Sequence, residues 1–451
     1  MVFARASLLF AALFVVLPFG IPVPLEAQEQ ERIWGRVTTV TGEVHRGFIR
    51  WDRNEGGWAD LLDGNKDFTP FLFQDWWDLV HPEDRQGDRV IELNGYRITW
   101  DDDEPEFPES HESGIRFGHI KTLTVAGDDQ ATLELRSGRF LDLNGGSTDI
   151  GDDLREVLVA RADGSRVELE WGDIRDIALE TPPSSARPEG RRLHGTVVLD
   201  EDTRFTGYIA WDMEKILTSD TLQGFTSDGS RRDLLFGRIT ELRPSGRGSE
   251  LTLADGATIE LFESDDVDEG NDGIQVSDPG MGLVLLEWDE LERVRFHPPE
   301  VPISPGSFDT ARRLRGTVTT TDSTELTGWI RWDGDEEYSW ELLDGQDGDL
   351  IFDIEFGLVA SIDRFVGVTT SVEVGATGVN VQTAPTEGAT VTLRDGRAFE
   401  LDGSNDVDDG NSGIFLVLDS SGQSPDDAEA EWVLVKWEDF RSVEFEWEDG
   451  R

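Results

Sequence analysis

Two stretches of this chain carry the same acidic, glycine-punctuated pattern. Ser264-Asp265-Asp266-Val267-Asp268-Glu269-Gly270-Asn271-Asp272-Gly273-Ile274 aligns without a gap to Ser404-Asn405-Asp406-Val407-Asp408-Asp409-Gly410-Asn411-Ser412-Gly413-Ile414. Alternating carboxylates and amides supply hard oxygen ligands, and glycines let the backbone turn tightly enough to gather them around calcium. The candidate ligands are Asp265, Asp266, Asp268 and Asn271 in the first loop and Asn405, Asp406, Asp408 and Asn411 in the second. The spacing is not that of an EF-hand. Counted from Asp406, the fifth position is Gly410, and Val417 stands where the bidentate glutamate belongs. The competing expectation is a tight loop in which Asp and Asn side chains bond their own backbone.

A second set of candidates is aromatic. Phe48, Tyr208 and Trp329 each follow a recurrent glycine, and Trp76 and Trp77 lie together in a segment unique to the first third of the chain. Aromatic rings in such positions grip a partner or stack on sugar rings, or else pack neighbouring units together. The histidines do not cluster, and no zinc-protease, serine-hydrolase or phosphate-loop motif occurs. No catalytic residues are assigned.

The elements that position these residues are written three times. Gly35, Gly195 and Gly316 open segments with a second glycine at Gly47, Gly207 and Gly328, followed by Trp51-Asp52, Trp211-Asp212 and Trp332-Asp333. The distance from first glycine to tryptophan is sixteen residues in every copy, which marks a repeat architecture. Proline-rich breakers bound the copies, giving repeats at 28–181, 190–298 and 311–451. Within each copy the alternation is that of β-strands, and the pattern restarts midway, so two β units per copy are expected. Signatures beginning at Phe117, Phe236 and Phe356 close the first halves, and strands ending in Trp171, Trp288 and Trp437 close the second.

The segment from Gly316 to Asp333, and more loosely Val391 to Asn411, resembles the opening hairpin of Sm-like and SH3-like small barrels. That resemblance implies an all-β chain of tandem small β-barrels; a six-bladed β-propeller is the alternative architecture. The RNA-binding role of Sm-like proteins does not carry over, because the basic residues are missing. Copy one is also enlarged: Gly47 to Phe117 spans 70 residues, against 29 and 28 in the other copies. The extra segment, about 68–112, holds an expected hairpin at Asn94-Gly95 and the tryptophan pair.

Composition narrows the partners. With 94 acidic against 40 basic residues the net charge is -54, which repels nucleic acid and anionic lipid. The chain has no cysteine, which rules out disulfides and thiolate metal sites. Residues 1–27 have the character of a cleavable export signal, so the expected location is the bacterial periplasm or exterior, with no membrane insertion after cleavage. The sequence thus predicts an exported acidic β-repeat protein that acts as a calcium-dependent binding or structural module for a protein or polysaccharide surface. The alternative function is a carbohydrate-active hydrolase with its site in the copy-one insertion.

Overall fold

In each copy the two spaced glycines face one another across a hairpin: Gly35 opposite Gly47, Gly195 opposite Gly207, and Gly316 opposite Gly328. A methyl group on Gly47, Gly207 or Gly328 would stand 2.1, 2.4 or 2.2 Å from the carbonyl oxygen of Ala160, Ser277 or Val417 on the next strand. That backbone passes too close for any side chain, so the fixed spacing is a packing requirement. Gly207→Ala is expected to destabilise the protein by about 1–3 kcal/mol through overpacking, measured as a lower urea midpoint at unchanged slope.

The computed structural model describes residues 31–67, 90–93, 96–99, 110–145, 148–200, 203–308, 311–367, 371–374, 379–382, 387–427 and 430–447. The export segment at 1–27, the pair Trp76 and Trp77, and most of the insertion lie outside them. The fold is all-β, and the helical pieces among the described residues are three-residue 3-10 turns. None of these is long and apolar enough to cross a membrane. The expected hairpin in the insertion is present as paired strands Val90–Leu93 and Tyr96–Thr99, with Ile91 opposite Ile98.

Three large antiparallel sheets carry the copies, and none closes into a barrel. Copy one forms a ten-stranded sheet, and its order shows how the halves combine. The last strand, Ile174–Leu179, pairs with the first, Trp34–Thr39, on one side and with Ile120–Gly127 on the other. Val157–Arg161 pairs with Val44–Trp51. The second half therefore completes the first strand pair of the copy and does not follow as a separate block. Copy two repeats this order and then extends it. Its edge strand Gly282–Leu286 pairs with Leu350–Glu355 of copy three, with Val284 opposite Phe352. Leu342–Asp347 continues that sheet, eight further strands of copy three form the third sheet, and Ser371–Val374 pairs with Val379–Gln382 as a separate hairpin.

The half-closing aromatics sit differently from expectation. Phe117, Phe236, Phe356, Trp171, Trp288 and Trp437 each open a 3-10 turn; the closing strand starts three residues later in every case except Trp288, where it starts at Arg293. Two of the turns are held by a side chain reaching back: Asp173 accepts from the amide of Glu170, and Glu290 from that of Glu287. The turn drives the aromatic ring inward against the tryptophan of the Trp-Asp pair. Trp51 meets Trp171 edge-on at 6.5 Å, and Trp332 meets Trp437 at 6.3 Å. Trp51, Trp171, Trp211, Trp332 and Trp437 are buried, while Trp288 is half-buried.

Candidate functional site

The residues after each core tryptophan form one recurrent turn. Asp52, Asp212 and Asp333 all adopt positive φ, at 35°, 53° and 45°. Aspartate tolerates this left-handed region because its short polar side chain bonds locally. The chain then doubles back, so that Trp51, Trp211 and Trp332 bridge to Glu55, Lys215 and Glu336 four residues on. The indole N–H of each tryptophan donates to the main-chain oxygen of Asp149, Asp266 or Asp406, at 3.1, 2.9 and 2.9 Å. A carboxylate oxygen of the same three residues accepts from the amides of Asp63, Gln223 and Asp344. The acidic loop is thus braced onto the turn in every copy, copy one included.

Of the nominated loop ligands, Asp265 is exposed and the other seven fall into two groups. Asp268 accepts from the amides of Ser264 and Gly270, and Asp408 accepts from that of Gly410. Asn271 donates to the carbonyl of Asp265 and accepts from the amide of Gly273; Asn411 bonds Asp406 and Gly413 in the same way. These are side chains turned onto their own loop. Asp266, Asn405 and Asp406 instead point toward the Trp-Asp turn: Asp266 meets Lys215, and the Asn405 amide donates to Asp333. Among the described residues, no three acidic or histidine side chains are gathered at metal-ligand spacing.

Charge at the turn differs sharply between copies. In copy two the Lys215 ammonium bridges Asp212 at 2.5 Å and Asp266 at 2.8 Å. In copies one and three the same position is Glu55 or Glu336, and one carboxylate oxygen of each is buried with no hydrogen-bond partner. Burial, reinforced by neighbouring aspartates, holds Glu55, Asp149, Glu336 and Asp406 well above the usual carboxylate range. Asp333 is raised by burial and by Asp335 beside it. In copy one the Arg155 guanidinium answers Asp52 at 2.9 Å.

A second recurrent acid was not singled out from sequence. Nine residues beyond each tryptophan stand Asp60, Asp220 and Glu341. Each accepts two amides of its own turn on one oxygen. Each then receives a cation from another copy: Arg192 on Asp60, Arg50 on Asp220 and Lys66 on Glu341. Copy one therefore contacts both other copies, and the shared strand pair joins copy two to copy three. A cavity of about 140 Å³ lies at the meeting of copies one and three, lined by Asp63, Glu336, Glu341, Asp344 and Asp353 with Lys66.

The aromatic row is split as well. Phe48 is 3% exposed and lies under Trp34 and Ala186 of the linker after copy one. Tyr208 is 2% exposed, and its hydroxyl accepts from the amide of Ile303 in the linker after copy two. Both rings pack the copies together and are not accessible to grip a partner. Trp329 is half-buried, with Arg315 over its ring, and lines an open groove of about 860 Å³ with Arg312, Arg313, Pro425 and Trp447.

Comparison with protein-family models, curated proteins and solved structures finds no match to this chain.

Proposed function

We propose that this chain is an exported binding module whose copy-three groove takes an extended, proline-bearing polypeptide segment. The observation that carries this is the internal template. The same cross-strand position is occupied by Trp34 and Phe48, by His194 and Tyr208, and by Arg315 and Trp329. A proline-bearing linker covers it in copy one, through Ala186, and in copy two, through Ile303. The ring pair in each covered copy meets edge-on, at 4.9 and 5.2 Å. Copy three presents the corresponding surface as a groove. Extended proline-bearing segments suit such aromatic-lined grooves because little conformational freedom remains to be lost on docking.

The tandem small-barrel organisation belongs to the same proposal. Its support is the bent hairpin with paired glycines and the 3-10 turn ahead of each closing strand. The interleaving of halves favours it over six independent propeller blades. Export is supported by the apolar N-terminal stretch ahead of a small-residue cleavage point. The hydrolase alternative rests on Trp76, Trp77 and their neighbours, which lie outside the described residues.

The direct test uses synthetic peptides with the sequences of residues 181–190 and 298–308, titrated into the mature protein while tryptophan fluorescence is followed. Saturable quenching that falls at least about tenfold in affinity in Trp329→Ala is expected, since a buried aromatic anchor contributes about 2 kcal/mol or more. Absence of saturation with both peptides overturns the proposal. Saturation by neutral oligosaccharides alone overturns it in favour of a carbohydrate partner.

A further inference from the structure

We propose that the Trp-Asp turns of copies one and three each bind a divalent cation, with calcium preferred, at the place the Lys215 ammonium occupies in copy two. The cation in copy one lies among Asp52, Glu55 and Asp149, and in copy three among Asp333, Glu336 and Asp406. This inference rests on the alignment of the three turns and not on the groove reading.

Copy two shows what the turn requires. Its two buried aspartates, Asp212 and Asp266, are 5% and 3% exposed, and a single ammonium joins them. The corresponding pairs, Asp52 with Asp149 and Asp333 with Asp406, are at most 4% exposed and sit on the same backbone bonds. A glutamate replaces the lysine in both copies, so the position changes from one positive to one negative charge. Glu55 is 6% exposed and its Oε2 has no hydrogen-bond partner. Glu336 Oε2 is likewise buried without one. A buried carboxylate oxygen without a partner is costly, and several together in low dielectric are costlier still.

Arg155 answers Asp52 and also meets Glu214 at 3.2 Å. Lys66 is committed to Glu341 at 2.8 Å, with Asp335 at 3.6 Å. A divalent cation removes the remaining deficit by accepting oxygen ligands from the same groups. Calcium suits the site better than magnesium, because it accepts irregular oxygen coordination and sheds water readily. The acidic cavity lined by Asp63, Glu336 and Asp344 gives a cation a route to the copy-three turn. The three carboxylates of each turn are not gathered at metal-ligand spacing, and a bound cation would draw them together.

The test is calorimetric titration of the mature protein with calcium chloride at fixed ionic strength, with magnesium chloride as control. About two calcium equivalents are expected to bind saturably. Glu55→Lys and Glu336→Lys each place an ammonium where the cation sits and are expected to remove one equivalent apiece. Lys215→Glu is expected to create a third equivalent. This gain keeps the test informative even where a lysine variant folds poorly. Asp268→Asn should leave the count unchanged, which separates these turns from the self-bonded loop. No saturable calcium heat, a count unaffected by both lysine variants, or no third site in Lys215→Glu overturns the proposal.

Discussion

Asp60→Ala is expected to destabilise the protein by about 3–5 kcal/mol, because it leaves the Arg192 guanidinium buried and unanswered. Arg192 is 3% exposed, and its guanidinium grips both Asp60 oxygens at 2.7 and 2.9 Å. Its remaining nitrogen donates to the carbonyls of Ile209 and Ile216. Removing the carboxylate also frees the amides of Gly56 and Gly57, which Asp60 holds at 2.8 and 2.7 Å. The loss therefore combines a stranded cation, an opened turn and a broken joint between copies one and two. Asp220→Ala should cost less, since Arg50 remains 19% exposed and water can reach it. Urea denaturation of both variants checks the order. Equal losses, or a loss under about 1 kcal/mol for Asp60→Ala, would mean that water reaches Arg192 as freely as it reaches Arg50.

Much of the single-copy architecture was legible because it is local. The paired glycines, the Trp-Asp turn and the alternation of strands are consequences of backbone crowding and face burial, and both leave a mark at fixed spacing. The acidic loops were visible as a pattern, but their ligand set was not. Asp268, Asn271, Asp408 and Asn411 turn onto their own backbone. Asp266 and Asp406 instead face a turn more than fifty residues away in the chain, with tryptophan-to-carbonyl bonds across |i−j| of 55 and 74. Glu55, Glu336 and Lys215 carried a signal that alignment of the three turns would have exposed, namely one position alternating in charge. The acid nine residues past each tryptophan was equally visible in retrospect. The burial of Phe48 and Tyr208 was not, because Ala186 and Ile303 come from linkers with no repeat pattern. Which strand edge receives Leu350–Glu355 was also hidden, since an edge offers the same backbone groups to any partner.

With calcium chelated, the protein is expected to become more stable as pH falls from about 8 toward 5. Glu55, Asp149, Asp333, Glu336 and Asp406 have folded-state pKa values raised well above their ordinary 3.8 or 4.5, chiefly by burial. Glu31 is pushed up to about 8 by burial, against the opposing pull of Arg191, Arg192 and Arg32. Such groups take up protons more readily folded than unfolded, so stability rises as pH drops through each folded value. The gain is complete only below the ordinary carboxylate range, where the unfolded chain is protonated too. Each unit of upward shift is about 1.4 kcal/mol per group, so a few such groups outweigh most single substitutions. Relief of repulsion among the surface acids acts in the same direction, and salt separates the two. At about 1 M salt the screening length falls to about 3 Å, which silences exposed pairs and leaves buried ones largely untouched. Thermal denaturation in chelator at that salt should retain the upward trend on acidification. Glu336→Gln should raise the melting temperature at pH 8 and flatten the trend, because the amide removes a buried charge at nearly constant shape. A melting temperature independent of pH between 8 and 5, or a Glu336→Gln variant less stable than the parent, would show that these carboxylates are ionised and already compensated in the fold.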